Sequence, residues 1–159
     1  MITYIGIDPG VSGAYAVMKC KGTEIKEVSL HKWEDLQIIA HHLHTLKAEP
    51  FSVDTFAALE RVHASPQMGR SSIFTFGCNA GMWEGILAGA EIPYEKVSPQ
   101  TWQKTVYNTK ATRLGKEYGL NFVSLHPAFV GRVTVGKNHN YADALCLALY
   151  AKGFYEQLS

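Results

Sequence analysis

Apolar and polar positions follow two different periods along the chain, and the change of period separates strands from helices. Three short segments near the start, Ile2–Asp8, Gly13–Met18 and Glu24–Leu30, are rich in β-forming residues. Turn residues divide them, at Pro9-Gly10 and Lys21-Gly22. The pattern therefore predicts three successive strands joined as hairpins.

Helical spacing begins after the third strand and then alternates with strand-like segments. An apolar stripe that includes Ile39, Leu43 and Leu46 predicts a first helix. The predicted elements after the hairpins are a helix at Trp33–Lys47, a strand at Thr55–Glu60, a long helix at Ser71–Ala90, a strand at Pro93–Val97, short helices near Pro99–Val106 and Ala111–Tyr118, and a last helix at about Asn140–Tyr155. This order predicts a single mixed α/β domain over residues 1–159.

Composition supports a globular protein and argues against disorder or a membrane protein. The chain is 47% hydrophobic and 18% charged, and no apolar run has the roughly 20 residues of a membrane span. The three cysteines, Cys20, Cys78 and Cys146, are widely spaced and form no zinc pattern, which predicts reduced thiols in a cytoplasmic protein. Residues 1–60 carry a net charge of −3 and residues 61–159 a net charge of +4, an asymmetry that ordinary surface scatter also explains.

The long predicted helix contains glycine at every fourth position, namely Gly77, Gly81, Gly85 and Gly89. Each glycine costs about 1 kcal/mol relative to alanine inside a helix, so the stripe should have a compensating use. Close packing within the chain is the favoured interpretation, and a subunit interface is the alternative.

Three acidic residues lie inside otherwise apolar segments. Asp8 and Glu60 end predicted strands, and Asp143 lies near the start of the last helix. A cluster of ionised carboxylates is repulsive unless cations lie among them, and all-oxygen clusters suit Mg²⁺ or Mn²⁺. Two such ions about 4 Å apart can activate water and stabilise the leaving oxygen of a phosphodiester. Taken singly, each acid could instead cap a helix, hold a turn or pair with a lysine.

The segments that contain these acids resemble a known family. In order and spacing, "IGIDPGVSGAYAV", "ALERVHASPQMG" and "YADALCLALYA" are similar to the acidic motifs of RuvC-like Holliday junction resolvases, and "SPQTWQK" is similar to phage-encoded members. The resemblance implies an RNase H-like α/β fold, with a five-stranded mixed sheet of three antiparallel and two parallel strands flanked by helices. It also implies a homodimer that acts on four-way DNA, without a membrane or a small-molecule cofactor.

The same resemblance assigns the site residues. It implies that Asp8, Glu60 and Asp143 are catalytic metal ligands, with two Mg²⁺ or Mn²⁺ ions per site as the expected number. Family members carry an Asp or His three or four residues before the last aspartate, where this chain has Asn140 and His139. We favour His139 as the fourth catalytic and metal-binding residue, because imidazole can bind Mn²⁺ or relay a proton. A helix-capping role for either residue is the alternative.

Basic and aromatic residues are candidates for DNA contacts. Relatives place an aromatic wedge just after the glutamate, where this chain has His63. The wedge is therefore Phe74 or Phe76 instead, or it is absent. Either ring could stack on unpaired bases, and core packing is the alternative for both. The predicted DNA-binding set is Arg61, His63, Arg70, Phe74, Lys104, Lys110, Arg113, Lys116 and Lys137. Individually, each basic residue is more often simply solvated.

The sequence thus predicts a metal-dependent endonuclease that resolves four-way junctions with paired cuts. One alternative is an RNase H-fold nuclease that acts on other branched DNA or on RNA–DNA hybrids. Another is a non-catalytic junction-binding protein, although such a protein would be expected to have lost one of the acids. Actin-like ATPases share the strand–Asp–x–Gly pattern but need two such domains, which 159 residues do not supply.

Overall fold

A computed structural model describes residues 1–10, 12–48, 54–63, 65–109 and 114–158. Its elements, in chain order, are β1 (Ile2–Asp8), β2 (Ala14–Lys21), β3 (Glu24–Lys32), α1 (Leu36–Ala48), β4 (Asp54–Glu60), α2 (Arg70–Gly89), β5 (Tyr94–Val97), α3 (Pro99–Val106), α4 (Lys116–Leu125) and α5 (His139–Leu158).

One five-stranded sheet organises the chain, in the order β3-β2-β1-β4-β5. The first three strands pair antiparallel, whereas β4 pairs parallel with both β1 and β5. Ile7 pairs with Leu59, so Asp8 and Glu60 are the next residues of two neighbouring parallel strands. Since parallel strands end at the same edge of a sheet, the two carboxylates are brought to one edge.

Helices cover both faces of the sheet, which explains why the central strands are apolar on both sides. Helices α3, α4 and α5 share one core cluster, in which Trp102, Phe129 and Leu145 are fully buried. On the opposite face, α1 and α2 pack over the second cluster through residues such as Leu43 and Trp83. No helix among the described residues is long and apolar enough to cross a membrane.

Two helix starts differ from the prediction for local reasons. Helix α1 begins at Leu36, three residues later than predicted, because the Asp35 side chain accepts a hydrogen bond from the Gln37 amide at 2.8 Å. The prediction of a helix at Ala111–Tyr118 is wrong in position. Helix α4 follows Gly115 and runs to Leu125, and residues 111–113 lie outside the described part of the chain.

The glycines of α2 do not pack against the rest of the chain. A Cβ atom built on Gly77, Gly81, Gly85 or Gly89 meets no atom within 4 Å among the described residues. The favoured interpretation, close packing within the chain, is therefore wrong. Their stripe faces solvent on this single chain, next to Phe74, which is 74% exposed. Core packing is accordingly wrong for Phe74 as well, whereas Phe76 is half-buried.

Candidate active site

The turn after β1 is built around the Asp8 side chain. Its Oδ1 accepts a hydrogen bond from the Gly10 amide at 3.2 Å, and the Gly13 amide donates to the Gly10 carbonyl at 2.8 Å. A Cβ on Gly13 would collide with the backbone at Asp8 and Gly10, so only glycine fits there. The Pro-Gly turn therefore fixes the carboxylate at the sheet edge.

Glu60, at the end of β4, is held from both sides. The next residue, Arg61, donates its amide to the Val97 carbonyl at 2.7 Å, which extends the β4–β5 pairing past Glu60. The Glu60 Oε2 accepts a hydrogen bond from the indole Nε1 of Trp102 at 2.7 Å. Trp102 lies on α3 and is completely buried.

Asp143 is brought to this edge by α5, which packs across β1. Its neighbours in the helix, Ala142 and Ala144, are buried. A Cβ atom on Gly119 of α4 would lie 3.6 Å from Asp143 Oδ1 and 3.0 Å from the hydroxyl of Tyr107. Asp143 therefore lies beside Gly119 of α4, at the start of the helix that packs across β1.

The electrostatics of the three acids connect them as one cluster. Burial, and to a smaller degree the charges of Asp8 and Asp143, raise the pKa of Glu60 to about 7, although the Trp102 hydrogen bond opposes the shift. Burial, followed by the charge of Asp8, raises the pKa of Asp143 to about 6, while His139 opposes it. Burial likewise raises the pKa of Asp8. Each carboxylate thus carries a charge that the protein itself does little to compensate.

No lysine or arginine among the described residues forms an ion pair with any of the three acids. The alternative in which each acid pairs with a lysine therefore finds no support in this part of the chain. A divalent cation would supply the missing counter-charge, and carboxylate oxygens are its preferred ligands. In donor chemistry, the cluster fits Mg²⁺ or Mn²⁺.

The side chains are not arranged as a finished coordination shell. Within the described ranges, no group of three or more His, Cys, Asp or Glu side chains converges closely enough to hold a metal ion. Mutual repulsion favours separated carboxylates when no cation lies between them. Binding would therefore require side-chain rotation at a prepared sheet edge.

The two candidates for the fourth position have different partners. The His139 Nδ1 lies 3.0 Å from the Lys116 carbonyl, and its Nε2 lies 3.9 Å from Glu117 Oε1. Because a carbonyl only accepts hydrogen bonds, Nδ1 carries the proton and Nε2 has the lone pair when the ring is neutral. Asn140 Nδ2 instead donates to the carbonyl oxygen and the hydroxyl of Ser12, so it ties α5 to the turn after Asp8.

Neither residue caps α5. Asn138 does so, because its Oδ1 accepts hydrogen bonds from the amides of Asn140 and Tyr141 at 3.0 and 3.3 Å. The capping alternative for His139 and Asn140 is therefore wrong. The sequence offered this signal too, since asparagine before an apolar helix is a strong cap.

The predicted DNA contacts are distributed over several elements. Arg61 and His63 are exposed just after Glu60, Arg70 and Phe74 on the first turns of α2, and Lys104 on α3. Lys116 begins α4 next to His139, and Lys137 precedes α5. Lys110 and Arg113 lie outside the described residues. Arg61 also donates to the Lys96 carbonyl at 3.2 Å, which orients its guanidinium along the sheet edge.

Trp102 has a place at the site that the sequence analysis did not assign. It lies 42 residues from Glu60 in sequence, and no local pattern links the two. The available signal was a tryptophan in the short helix that directly follows the strand next to β4.

Solved structures of known proteins share this fold. RuvC of T. thermophilus in complex with a Holliday junction substrate matches with a TM-score of 0.66 and 18% identity, over 99% of this chain and 94% of that chain. The fowlpox virus resolvase, bound to Holliday junction DNA, matches with a TM-score of 0.50 and 15% identity, over 96% and 99% of the chains. The yeast mitochondrial Holliday junction resolvase matches with a TM-score of 0.50 and 14% identity, over 99% of this chain and 84% of that chain.

The sequence alone matches no protein-family model and no curated protein. The likeness is thus one of architecture, and it confirms the predicted five-stranded mixed sheet flanked by helices. The chain has the RNase H-like fold of the RuvC-type Holliday junction resolvases.

Proposed function

We propose that this protein is a metal-dependent endonuclease that recognises four-way DNA junctions and cuts them by paired phosphodiester hydrolysis. One observation carries the proposal: three half-buried carboxylates, Asp8, Glu60 and Asp143, share one sheet edge without a cationic partner among the described residues. The fold adds support, because RuvC and the fowlpox virus resolvase were solved with Holliday junction DNA.

Asp8, Glu60 and Asp143 would hold the metal, with two ions per site as the expected number. When bound, such ions activate a water molecule and stabilise the leaving 3′ oxygen of the phosphodiester. His139 would add a lone pair at Nε2, either as a ligand or as the acceptor of the proton that water releases. Asn140 would keep the turn after Asp8 in place through Ser12.

DNA binding would rest on exposed basic residues around this edge. Lys116 and Lys137 flank the start of α5, and Arg61 and Lys104 lie on the side of Glu60 and Trp102. Lys110 and Arg113 stay in the proposed set. His63, Arg70 and Phe74 follow the glutamate along the chain, and the exposed ring of Phe74 has the character of a base-stacking group.

A homodimer would supply the second cut. A four-way junction with equivalent strands has two-fold symmetry, and an isologous pair of subunits presents two sites with the same symmetry. The open glycine stripe on α2 is the proposed contact, because small residues let two helices approach closely. A phage-encoded enzyme that acts in the host cytoplasm fits the resemblance of "SPQTWQK".

Substrate choice decides between this function and its alternatives. The protein is incubated with end-labelled four-way, three-way, linear duplex and RNA–DNA hybrid substrates in Mg²⁺, Mn²⁺ or EDTA. We expect paired, metal-dependent cuts in the four-way junction only. Preference for three-way DNA or for hybrids would indicate an RNase H-fold nuclease with other targets. Tight junction binding without cleavage in either metal would indicate a non-catalytic binding protein.

A further inference from the structure

Trp102 and Glu60 form a contact that both backbones keep rigid. Trp102 lies on the first turn of α3, which Ser98 caps by accepting a hydrogen bond from the Thr101 amide at 3.2 Å. Its indole is fully buried and packs edge-on against Tyr107, with ring centroids 5.6 Å apart. The Glu60 backbone is fixed by the strand pairing described above. The 2.7 Å hydrogen bond therefore joins two anchored groups rather than two mobile side chains.

The chemistry of the donor suits a carboxylate that must remain negative. An indole N–H donates only, carries no charge and neither takes up nor releases a proton at physiological pH. A lysine at this point would orient the carboxylate but cancel the charge that attracts a cation. Among the described residues, Glu60 has no other side-chain hydrogen bond, so Oε1 is the oxygen that remains for a metal.

We propose that Trp102 is a positioning residue, which holds Oε2 of Glu60 so that the carboxylate presents Oε1 to a divalent cation shared with Asp8 and Asp143. The proposal rests on the proposed function. Glutamate has more rotatable bonds than aspartate, so its side chain loses more conformational entropy when it binds an ion. A partner that orients a metal ligand typically accounts for a 10–100-fold effect on metal affinity or activity.

The chain contains a matched control for this role. Trp83 of α2 is also completely buried, but it belongs to the other core cluster, and its Nε1 has no hydrogen-bond partner among the residues that the structure describes. Replacing either tryptophan by phenylalanine removes the same atoms from a packed core. Only the substitution at Trp102 removes a hydrogen bond to the acidic cluster.

Trp102→Phe and Trp83→Phe are therefore compared in three measurements: Mg²⁺ binding by calorimetry with the metal alone, kcat and KM for junction cleavage, and thermal stability. For Trp102→Phe we expect Mg²⁺ affinity and kcat to fall 10–100-fold at unchanged KM. For Trp83→Phe we expect both to stay within about twofold, although both variants lose stability. Equal Mg²⁺ affinity and kcat in the two variants would overturn the proposal.

Two further measurements keep the test decisive. The chain has three tryptophans, so the three indole N–H signals of the wild type can be assigned by NMR. We expect Glu60→Gln and added Mg²⁺ each to shift the Trp102 signal but not the Trp83 signal, and an unmoved Trp102 signal would refute the contact. If Trp102→Phe does not fold, benzothienylalanine at position 102 keeps the ring shape and removes only the N–H.

Failure of this inference and failure of the proposed function give different results. If the wild type cleaves no junction but binds Mg²⁺, the calorimetry and the indole signals still decide whether Trp102 orients Glu60. If it cleaves junctions and Trp102→Phe behaves like Trp83→Phe, only the positioning role is rejected.

Discussion

Gly6 in the middle of β1 lies directly against the α5 backbone at Ala144. A Cβ atom on Gly6 would overlap the Ala144 carbonyl oxygen and the Ala148 amide nitrogen. Asp8 lies two residues after Gly6, and Asp143 immediately precedes Ala144. This close helix–sheet approach therefore fixes the distance between two of the three acids.

Gly6→Ala should be strongly destabilising. The added methyl group meets backbone atoms that cannot rotate away, so we expect a loss of about 3 kcal/mol or more in the free energy of unfolding, at the upper end of overpacking effects. Gly153→Ala on α5 is the control, because a Cβ atom there meets no atom within 4 Å among the described residues, and this variant should gain up to about 1 kcal/mol. Urea denaturation measures both. A loss below 1 kcal/mol for Gly6→Ala would contradict such close packing.

The sequence predicted the strands well because their apolar segments are bounded by turn residues. It also placed Asp8 and Glu60 at strand ends, and parallel pairing of β1 with β4 turned that placement into a shared edge. The Trp102 contact could not be predicted, because it depends on how α3 docks under the sheet. Close packing of the α2 glycines within the chain was a wrong prediction for a related reason. Residue spacing defines a helix face but does not say what, if anything, packs against it.

Removing any one acid should abolish cleavage but leave junction binding largely intact. We expect Asp8→Asn, Glu60→Gln and Asp143→Asn each to lower kcat at least about 100-fold, because each removes charge needed to bind the metal. Loss of negative charge near phosphate does not weaken DNA binding. Nicking and gel-shift assays measure the two effects, with exposed Glu91→Gln as the control. Near-normal cleavage by one variant would exclude that residue from the site.

The contribution of Glu60 and Asp143 to the stability of the metal-free protein should fall as pH rises through the acidic range. The folded-state pKa values of Glu60 and Asp143, about 7 and about 6, exceed the ordinary values of 4.5 and 3.8. Between about pH 4 and pH 7, the folded state therefore binds more protons than the unfolded state. The free energy of unfolding that these two groups contribute falls as pH rises through this range. Thermal unfolding in EDTA across this range measures the slope. The triple variant Asp8→Asn, Glu60→Gln, Asp143→Asn should lose it.

Mg²⁺ should reverse the trend above pH 7, where most Glu60 and Asp143 side chains are ionised. If Mg²⁺ binds only the folded state, a free Mg²⁺ concentration of 100 times the Kd adds about 2.7 kcal/mol to the free energy of unfolding. We expect the melting temperature at pH 8 to rise with Mg²⁺ in the wild type and to stay constant in the triple variant. An equal rise of the melting temperature in both proteins would indicate that Mg²⁺ binds outside the cluster of the three acids.

His139→Ala should lose far more activity than Asn140→Ala and should change the preference between Mg²⁺ and Mn²⁺. The neutral His139 ring has its lone pair at Nε2, which binds Mn²⁺ better than Mg²⁺, whereas Asn140 is occupied with Ser12. Cleavage rates over a concentration series of each metal make the comparison, and melting temperatures control for loss of structure. A larger loss for Asn140→Ala at normal stability would reverse the assignment.

The protein should form a homodimer through α2. Symmetric incision needs two sites related by a two-fold axis, and the described residues of one chain form a single acidic cluster. Within the described part of one chain, no atom lies within 4 Å of the Cβ positions of Gly81 and Gly85. Leucine there should therefore leave the fold of one subunit undisturbed but hold two helices apart. We expect Gly81→Leu and Gly85→Leu to be monomers that bind junctions poorly and nick only one strand. Gly153→Leu, on α5, is the matched control and should remain dimeric.

Light scattering at micromolar concentration, with and without junction DNA, measures the oligomeric state. A wild type that remains monomeric on the junction would eliminate paired incision and leave an enzyme that makes single nicks.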